Sequence, residues 1–217
     1  GPRCRRARAD SAMTKIKICG LTVEEDAIVA ADLGADFLGF IFVESSPRRV
    51  DPERVRDIAA RVRENRESPP RIVGVFRDAS AEYLNRIASD ASLDLVQLHG
   101  NETDDDIAAL EIPAIKSFRV GDTLPDTTTY PRAQWHLFDA FVEHREGGTG
   151  RRFDWSLLAM YPRTKPFFLA GGITPENVAA AISLVRPDAV DLASGVESEP
   201  GVKDHTKLRN LFERIKR

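Results

Sequence analysis

Little in this chain is available for cross-linking, membrane crossing or metal binding. Its 217 residues include only two cysteines, Cys4 and Cys19. Two are too few for a disulfide scaffold, and the expectation is a reducing, cytoplasmic setting. No apolar run approaches the ~18 residues that span a bilayer, so no membrane partner is expected. No His/Cys/Asp/Glu cluster has metal-ligand spacing, and no G-x-S-x-G elbow is present. Metal-assisted and serine hydrolysis therefore both lack support.

What is present is an ordinary globular composition, 42% hydrophobic and 30% charged, with a net charge of −3. That excludes disordered, collagen-like and coiled-coil chains, and the length suits one substantial domain. Residues 1–12 (GPRCRRARADSA) hold four arginines and one aspartate, with no apolar patterning and no signal-peptide core. This basic tail is expected to lie outside the fold, as an expression remnant or a disordered segment. A short transit peptide is the other reading. Without the tail's net +3, the remaining 205 residues (13–217) carry −6. An acidic domain lacks the basic face that nucleic-acid binding needs.

Eight short apolar runs punctuate residues 13–217: 15–20, 37–42, 71–76, 95–100, 114–120, 135–140, 166–172 and 189–195. Most are continuously apolar rather than alternating, as in parallel strands buried on both faces. Helical stripes lie between them. Val55, Ile58, Ala59 and Val62 recur at helical spacing, as do Leu84, Ile87, Ala88 and Ala91. Val178, Ala181, Ile182 and Val185 form a third stripe, and Leu208, Leu211, Phe212 and Ile215 a fourth. Thr22 with Glu25 predicts a capping box, Thr174-Pro175 a second helix start, and Gly34 a helix stop. Residues 121–134 contain two prolines and no stripe, so the fifth helix is expected to be reduced. A polar, Gly-rich loop over 141–153 precedes a sixth helix starting near Asp154. Eight strand–helix units predict a single-domain (β/α)8 TIM barrel of the α/β class, with an open doubly wound sheet as competitor.

In a barrel the reactive groups sit at the C-terminal strand ends. Cys19 ends the first strand, His99 the fourth and Asp139 the sixth, while Asp191 lies in the eighth. Periodicity alone reads Cys19 as a small buried hydrophobe and leaves His99 open between a structural and a functional role. An acid in WHLFDAF needs partners or a purpose to offset its desolvation. Gly171-Gly172 and Ser194-Gly195 follow the seventh and eighth strands, where barrels bind phosphate through backbone N–H groups. The GGTG of residues 147–150 lacks a Walker ending and reads as a hinged cover. Arg48 and Arg49 follow the second strand within reach of such a site.

KICGLT, GADFLGFIF with SPRRV, VGVF, VQLHG, GGTG with FDW, LAGGITPENV, and DLASGVE with GVKDH occur in that order between residues 15 and 205. Together they resemble the phosphoribosylanthranilate isomerase family of tryptophan biosynthesis. The resemblance implies a single-domain barrel without metal or cofactor that carries out an Amadori rearrangement on a small phosphoribosyl substrate. By motif it implies Cys19 as general base and Asp139 as general acid, with pKa values drawn down and up respectively. It implies Arg48 for the anthranilate carboxylate, with Arg49 a bystander, and His99 and Asp191 facing the substrate. Gly171, Gly172, Ser194 and Gly195 would hold the phosphate. Ala193 stands where the family usually has serine, which removes a hydroxyl there.

Three rivals remain at this point. A histidine-pathway isomerase would carry aspartate at Cys19, and a phosphosugar-binding pseudoenzyme would not need both Cys19 and Asp139. An indole-glycerol-phosphate synthase would need catalytic lysines, for which Lys116 is the one strand-internal candidate, without a nameable partner. A monomer or homodimer is expected.

Overall fold

In a computed structural model, which describes residues 13–139 and 155–215, eight parallel strands close into a barrel in sequence order. They are β1 (Lys15–Ile18), β2 (Phe37–Ile41), β3 (Arg71–Phe76), β4 (Leu95–Leu98), β5 (Ala114–Arg119), β6 (Trp135–Asp139), β7 (Phe167–Ala170) and β8 (Ala189–Leu192). Closure is made by β1 beside β8, with Lys17 opposite Asp191 and Ile18 opposite Leu192. Every predicted strand is present. The basic tail and the GGTG loop fall outside the described residues.

Strand period explains the packing. Phe37, Val73, Leu95, Ile115, Leu137, Phe168 and Ala189 point inward and fill the barrel. Their neighbours Leu38, Ile72, Val96, Ala114, Phe138, Leu169 and Val190 point outward and meet the helices. Burial on both faces is why these strands read as apolar runs, and each fully buried Leu, Ile or Phe contributes about 1.5–3 kcal/mol.

The helices are α1 (Glu24–Leu33), α2 (Pro52–Arg63), α3 (Ala81–Asp90), α4 (Asp104–Ala108), α5 (Ser156–Ala159), α6 (Val178–Val185) and α7 (His205–Ile215). The expected stripes face inward: Val55, Ile58, Ala59 and Val62 of α2 are buried, as are Leu208, Leu211 and Phe212 of α7. Among the described residues none of 121–134 is helical, as the prolines require. The next helix, α5, has a single turn beginning two residues beyond the expected start.

Two helix starts differ from expectation. Val23, not Thr22, is the N-cap of α1, because the Thr22 hydroxyl donates 2.6 Å to the Gly201 carbonyl. The Thr174-Pro175 pair opens a turn rather than α6. The Thr174 carbonyl accepts from Asn177 and Val178, and the helix begins at Val178. A capping box does form at Thr103/Asp106, at the start of α4. Gly34 closes α1 in the left-handed conformation (φ 101°) as expected. The chain adds one unexpected feature, an antiparallel hairpin of β9 (Glu197–Glu199) and β10 (Val202–Lys203) between β8 and α7.

Candidate active site

At the C-terminal end of the strands lies a cavity of about 390 Å³. Cys19, His99, Asp139, Gly171, Gly172, Asp191, Ser194 and Gly195 all line it. Residues from five strand ends thus converge on one face. Arg48 is the exception, and it does not appear in the lining.

Ile16 and Ile18 face the helices, so strand alternation turns Lys17 and Cys19 toward the barrel axis. Cys19 is 6% exposed. Burial pushes its thiol above the ordinary value, and the opposing pull of Lys17 and Lys203 does not reverse this. The downward shift expected from sequence is therefore not found: desolvation of the thiolate outweighs the nearby ammonium groups.

Lys17 is fully buried and its Nζ donates to both Asp191 carboxylate oxygens at 3.0 Å. Asp191, expected to face substrate, reaches the cavity but is already half of an ion pair. Behind Cys19, the Lys203 ammonium donates to the Cys19 carbonyl (2.6 Å), the Ala193 carbonyl (3.3 Å) and Glu197 Oε1 (2.8 Å). Arg48 grips the same Glu197 with Nε at 2.9 Å and Nη2 at 2.7 Å. A guanidinium suits that bidentate geometry, and it turns Arg48 toward Glu197. Burial raises the Glu197 carboxyl, but Arg48 and Lys203 overcome it and hold it at about 2.

Across the cavity, Asp139 Oδ2 stands 3.6 Å from His99 Nε2. The first turn after β7 runs through Gly171 (φ 85°) and Gly172 (φ 66°), a conformation that favours glycine. After β8, a side chain on Gly195 would lie 2.0 Å from the Ile173 carbonyl oxygen, so only glycine lets the two loops touch. The Ser194–Val196 backbone then coils into a 3₁₀ turn beside them. Two glycine-rich loops at the cavity edge fit an anion bound by backbone donors.

Sequence reasoning missed Lys17, Gln97, Glu197 and Lys203. Lys17 is two residues before Cys19 and so shares its face, a signal that was available. Gln97 lines the cavity with its Oε1 lacking a hydrogen-bond partner. The expectation that Lys116 is the one strand-internal lysine is wrong on both counts. Lys17 is another, and Lys116 has partners, donating to Glu102 (2.9 Å) and the Gly100 carbonyl (2.8 Å). Among the described residues no group of three or more His, Cys, Asp or Glu could hold a metal ion. No described helix is long and apolar enough to cross a membrane.

A family profile described as N-(5'phosphoribosyl)anthranilate (PRA) isomerase matches residues 16–214. The N-(5'-phosphoribosyl)anthranilate isomerase of Geobacter metallireducens is 44% identical over 207 residues, covering 94% of this chain and 100% of that protein. The crystal structure of phosphoribosyl anthranilate isomerase from Thermus thermophilus superposes with a TM-score of 0.82 at 39% identity, covering 94% of this chain and 98% of its own. A phosphoribosyl anthranilate isomerase crystallised with reduced 1-(o-carboxyphenylamino)-1-deoxyribulose 5-phosphate gives 0.81 at 36% identity, covering 94% and 99%. With the family profile spanning almost all of the barrel, the chain belongs to the N-(5'-phosphoribosyl)anthranilate isomerase family.

Proposed function

We propose that this barrel isomerises N-(5-phosphoribosyl)anthranilate to 1-(2-carboxyphenylamino)-1-deoxyribulose 5-phosphate, with Cys19 as general base and Asp139 as general acid. The observation that carries this reading is a thiol on β1 and a carboxyl on β6 lining one cavity, with the glycine loops after β7 and β8 at its edge. In this ring β6 is three strands from β1. An acid and a base so separated can serve different atoms of one sugar.

In the first step the protonated Asp139 gives its proton to the ribose ring oxygen. The C1′–O bond breaks and the anilino nitrogen lone pair forms an iminium. The Cys19 thiolate then takes the C2′ proton, and the electron pair of that C–H bond becomes the C1′=C2′ bond of an enolamine. Transfer of the enol proton to C1′ leaves the ketose. His99 adjoins the acid, and Gly171, Gly172, Ser194 and Gly195 receive the phosphate through main-chain N–H groups. The alanine at 193 costs a hydroxyl there but no backbone donor. Arg48 is assigned the anthranilate carboxylate; a guanidinium has donors beyond those committed to Glu197.

The same reading includes a cytoplasmic monomer or homodimer with no cofactor and no nucleic-acid or membrane partner, supported by the acidic domain and sparse cysteine. The test is consumption of the fluorescent substrate. Wild-type protein is expected to quench it, and Asp139→Asn to lower kcat by about 10²–10⁴-fold. Cys19→Ser with full turnover would remove the base, and unchanged fluorescence with tight product binding would make the barrel a phosphosugar-binding protein. Arg48→Ala is expected to raise KM more than Arg49→Ala, since Arg49 is half-exposed and pairs only loosely with Asp51 at 3.5 Å.

A further inference from the structure

Lys17 is a fully buried lysine of β1, in a domain that is acidic overall, and it does not reach the reacting sugar in the proposed reaction. Its ammonium is held from one side by Asp191 of β8, at 3.0 Å from each carboxylate oxygen. From the other side it meets Cys19. A methyl group placed on Gly39 of β2 would lie 2.8 Å from Cys19 Sγ and 3.1 Å from Lys17 Nζ. Thiol and ammonium therefore both close over Gly39, the one position of β2 where no side chain intervenes.

We infer that Lys17 is a positioning residue for the reaction, stabilising Cys19 in its thiolate form, and that Asp191 is the counterion that keeps Lys17 protonated. The inference rests on Cys19 being the base.

Chemistry and surroundings agree. A buried thiolate has no water to solvate it, and a fixed ammonium is the group that replaces that water. Burial by itself would strip the proton from Lys17, but the Asp191 carboxylate and Cys19 together raise its pKa instead. Beside the sulfur, Lys17 favours the thiolate more than Asp191 opposes it. Of the other cations near Cys19, Lys203 pulls more weakly than Lys17. Lys203 spends its donors on two carbonyls and Glu197, and Arg48 is bound to Glu197 as well. His99 and Asp139 stand together on the β4–β6 side. The proposed acid–base pair thus acquires a lysine that acts through the cysteine.

Charge at position 17, rather than side-chain volume, sets the expected effect, which a merely structural role would not produce. The experiment measures the rate of iodoacetamide alkylation at Cys19, by mass spectrometry, across pH about 6 to 10. Cys4→Ser serves as background to leave one thiol. Lys17→Met is expected to move the midpoint to higher pH by about one unit or more, slowing alkylation at least tenfold at fixed pH below it. Lys17→Arg, which keeps the cation, is expected to hold most of the wild-type midpoint. Asp191→Asn withdraws the counterion that keeps Lys17 charged and is expected to move the midpoint alkaline as well, by less than Lys17→Met. If Lys17→Met fails to fold, Lys17→Met/Asp191→Asn removes both charges together, and its midpoint should still lie above that of the wild type. An unchanged midpoint in Lys17→Met or in the double variant, or Lys17→Arg moving as far alkaline as Lys17→Met, overturns the inference. Because alkylation needs no substrate, that failure is separate from the loss of the base assignment, which Cys19→Ser turnover decides.

Discussion

The β1–β8 wall and the β6–α5 wall of this barrel both bury ionisable side chains, and they meet the cost of burial in opposite ways. At β1–β8 the charges are kept and matched. Lys17 meets Asp191, and Lys203 meets a Glu197 that also holds Arg48. At β6 the charge is given up. His136, 1% exposed, shares a 2.7 Å hydrogen bond through Nδ1 with the Tyr161 hydroxyl, which in turn lies 2.9 Å from Thr164 Oγ1. Burial first, then the Lys165 ammonium, pull its pKa down to about 4, against the Tyr130 carbonyl. Rings pack around it, with Phe118 at 5.2 Å and Tyr161 at 6.1 Å. The matched charges adjoin the candidate catalytic thiol, whereas the neutral ring sits on the outer face of its strand. On these two walls fixed charge is retained beside the thiol, and the cheaper neutral form prevails on the outer face of β6.

Breaking the charged wall should have the largest effect. Lys203→Met removes the ammonium from Glu197 and leaves the Cys19 and Ala193 carbonyls without that donor. Truncating one partner of a buried pair costs about 3–5 kcal/mol, to be read from urea unfolding. A loss below about 1 kcal/mol would place the pair with exposed salt bridges and dissolve the contrast.

Acid titration separates the walls by pH. His136 is held neutral in the fold, so the unfolded chain binds its proton first as pH falls. Its stabilising contribution is complete above 6.5 and declines toward about 4, where the folded state is protonated too. The decline is about 3 kcal/mol. Glu197 has the reverse ordering of charge, with a carboxylate stabilised by the fold. Its contribution is complete above 4.5 and is lost as pH falls to about 2. His136→Phe should flatten the upper window and leave the lower one. A slope that survives this substitution would assign the upper window to other groups.

The walls also differ in how much of them could be read from sequence. The eight strands were visible because burial on both faces makes each a compact apolar run, and Cys19, His99 and Asp139 were visible because such runs end on them. Lys17 was hidden by its company: in KIKICG it reads as a break in hydrophobicity, and only the strand period shows that it shares a face with Cys19. Glu197 and Lys203 were hidden for another reason. Their partners, Arg48 and the carbonyls of Cys19 and Ala193, are brought together by ring closure and by a hairpin with no strong local signal. Thr22 misled because its hydroxyl is claimed by Gly201, 179 residues away in sequence. Local rules locate the elements, but a buried ion pair is a property of the closed barrel.

The neutral wall offers the smallest and cleanest test. Tyr161→Phe deletes one oxygen and keeps the ring, which packs at 4.8 Å on Phe138 and 5.3 Å on Phe167. What is lost is the partner of His136 Nδ1 and of the Thr164 hydroxyl, a neutral hydrogen-bonded chain. Net contributions of such bonds are about 1 kcal/mol, so the urea midpoint should fall by that amount with an unchanged slope. Turnover should hold, because His136 faces the helices while the catalytic cavity lies on the inner side of the strand. If Tyr161→Phe instead costs as much as Lys203→Met, the hydroxyl chain is as demanding as a buried ion pair, and neutrality is not what makes the β6 wall cheap.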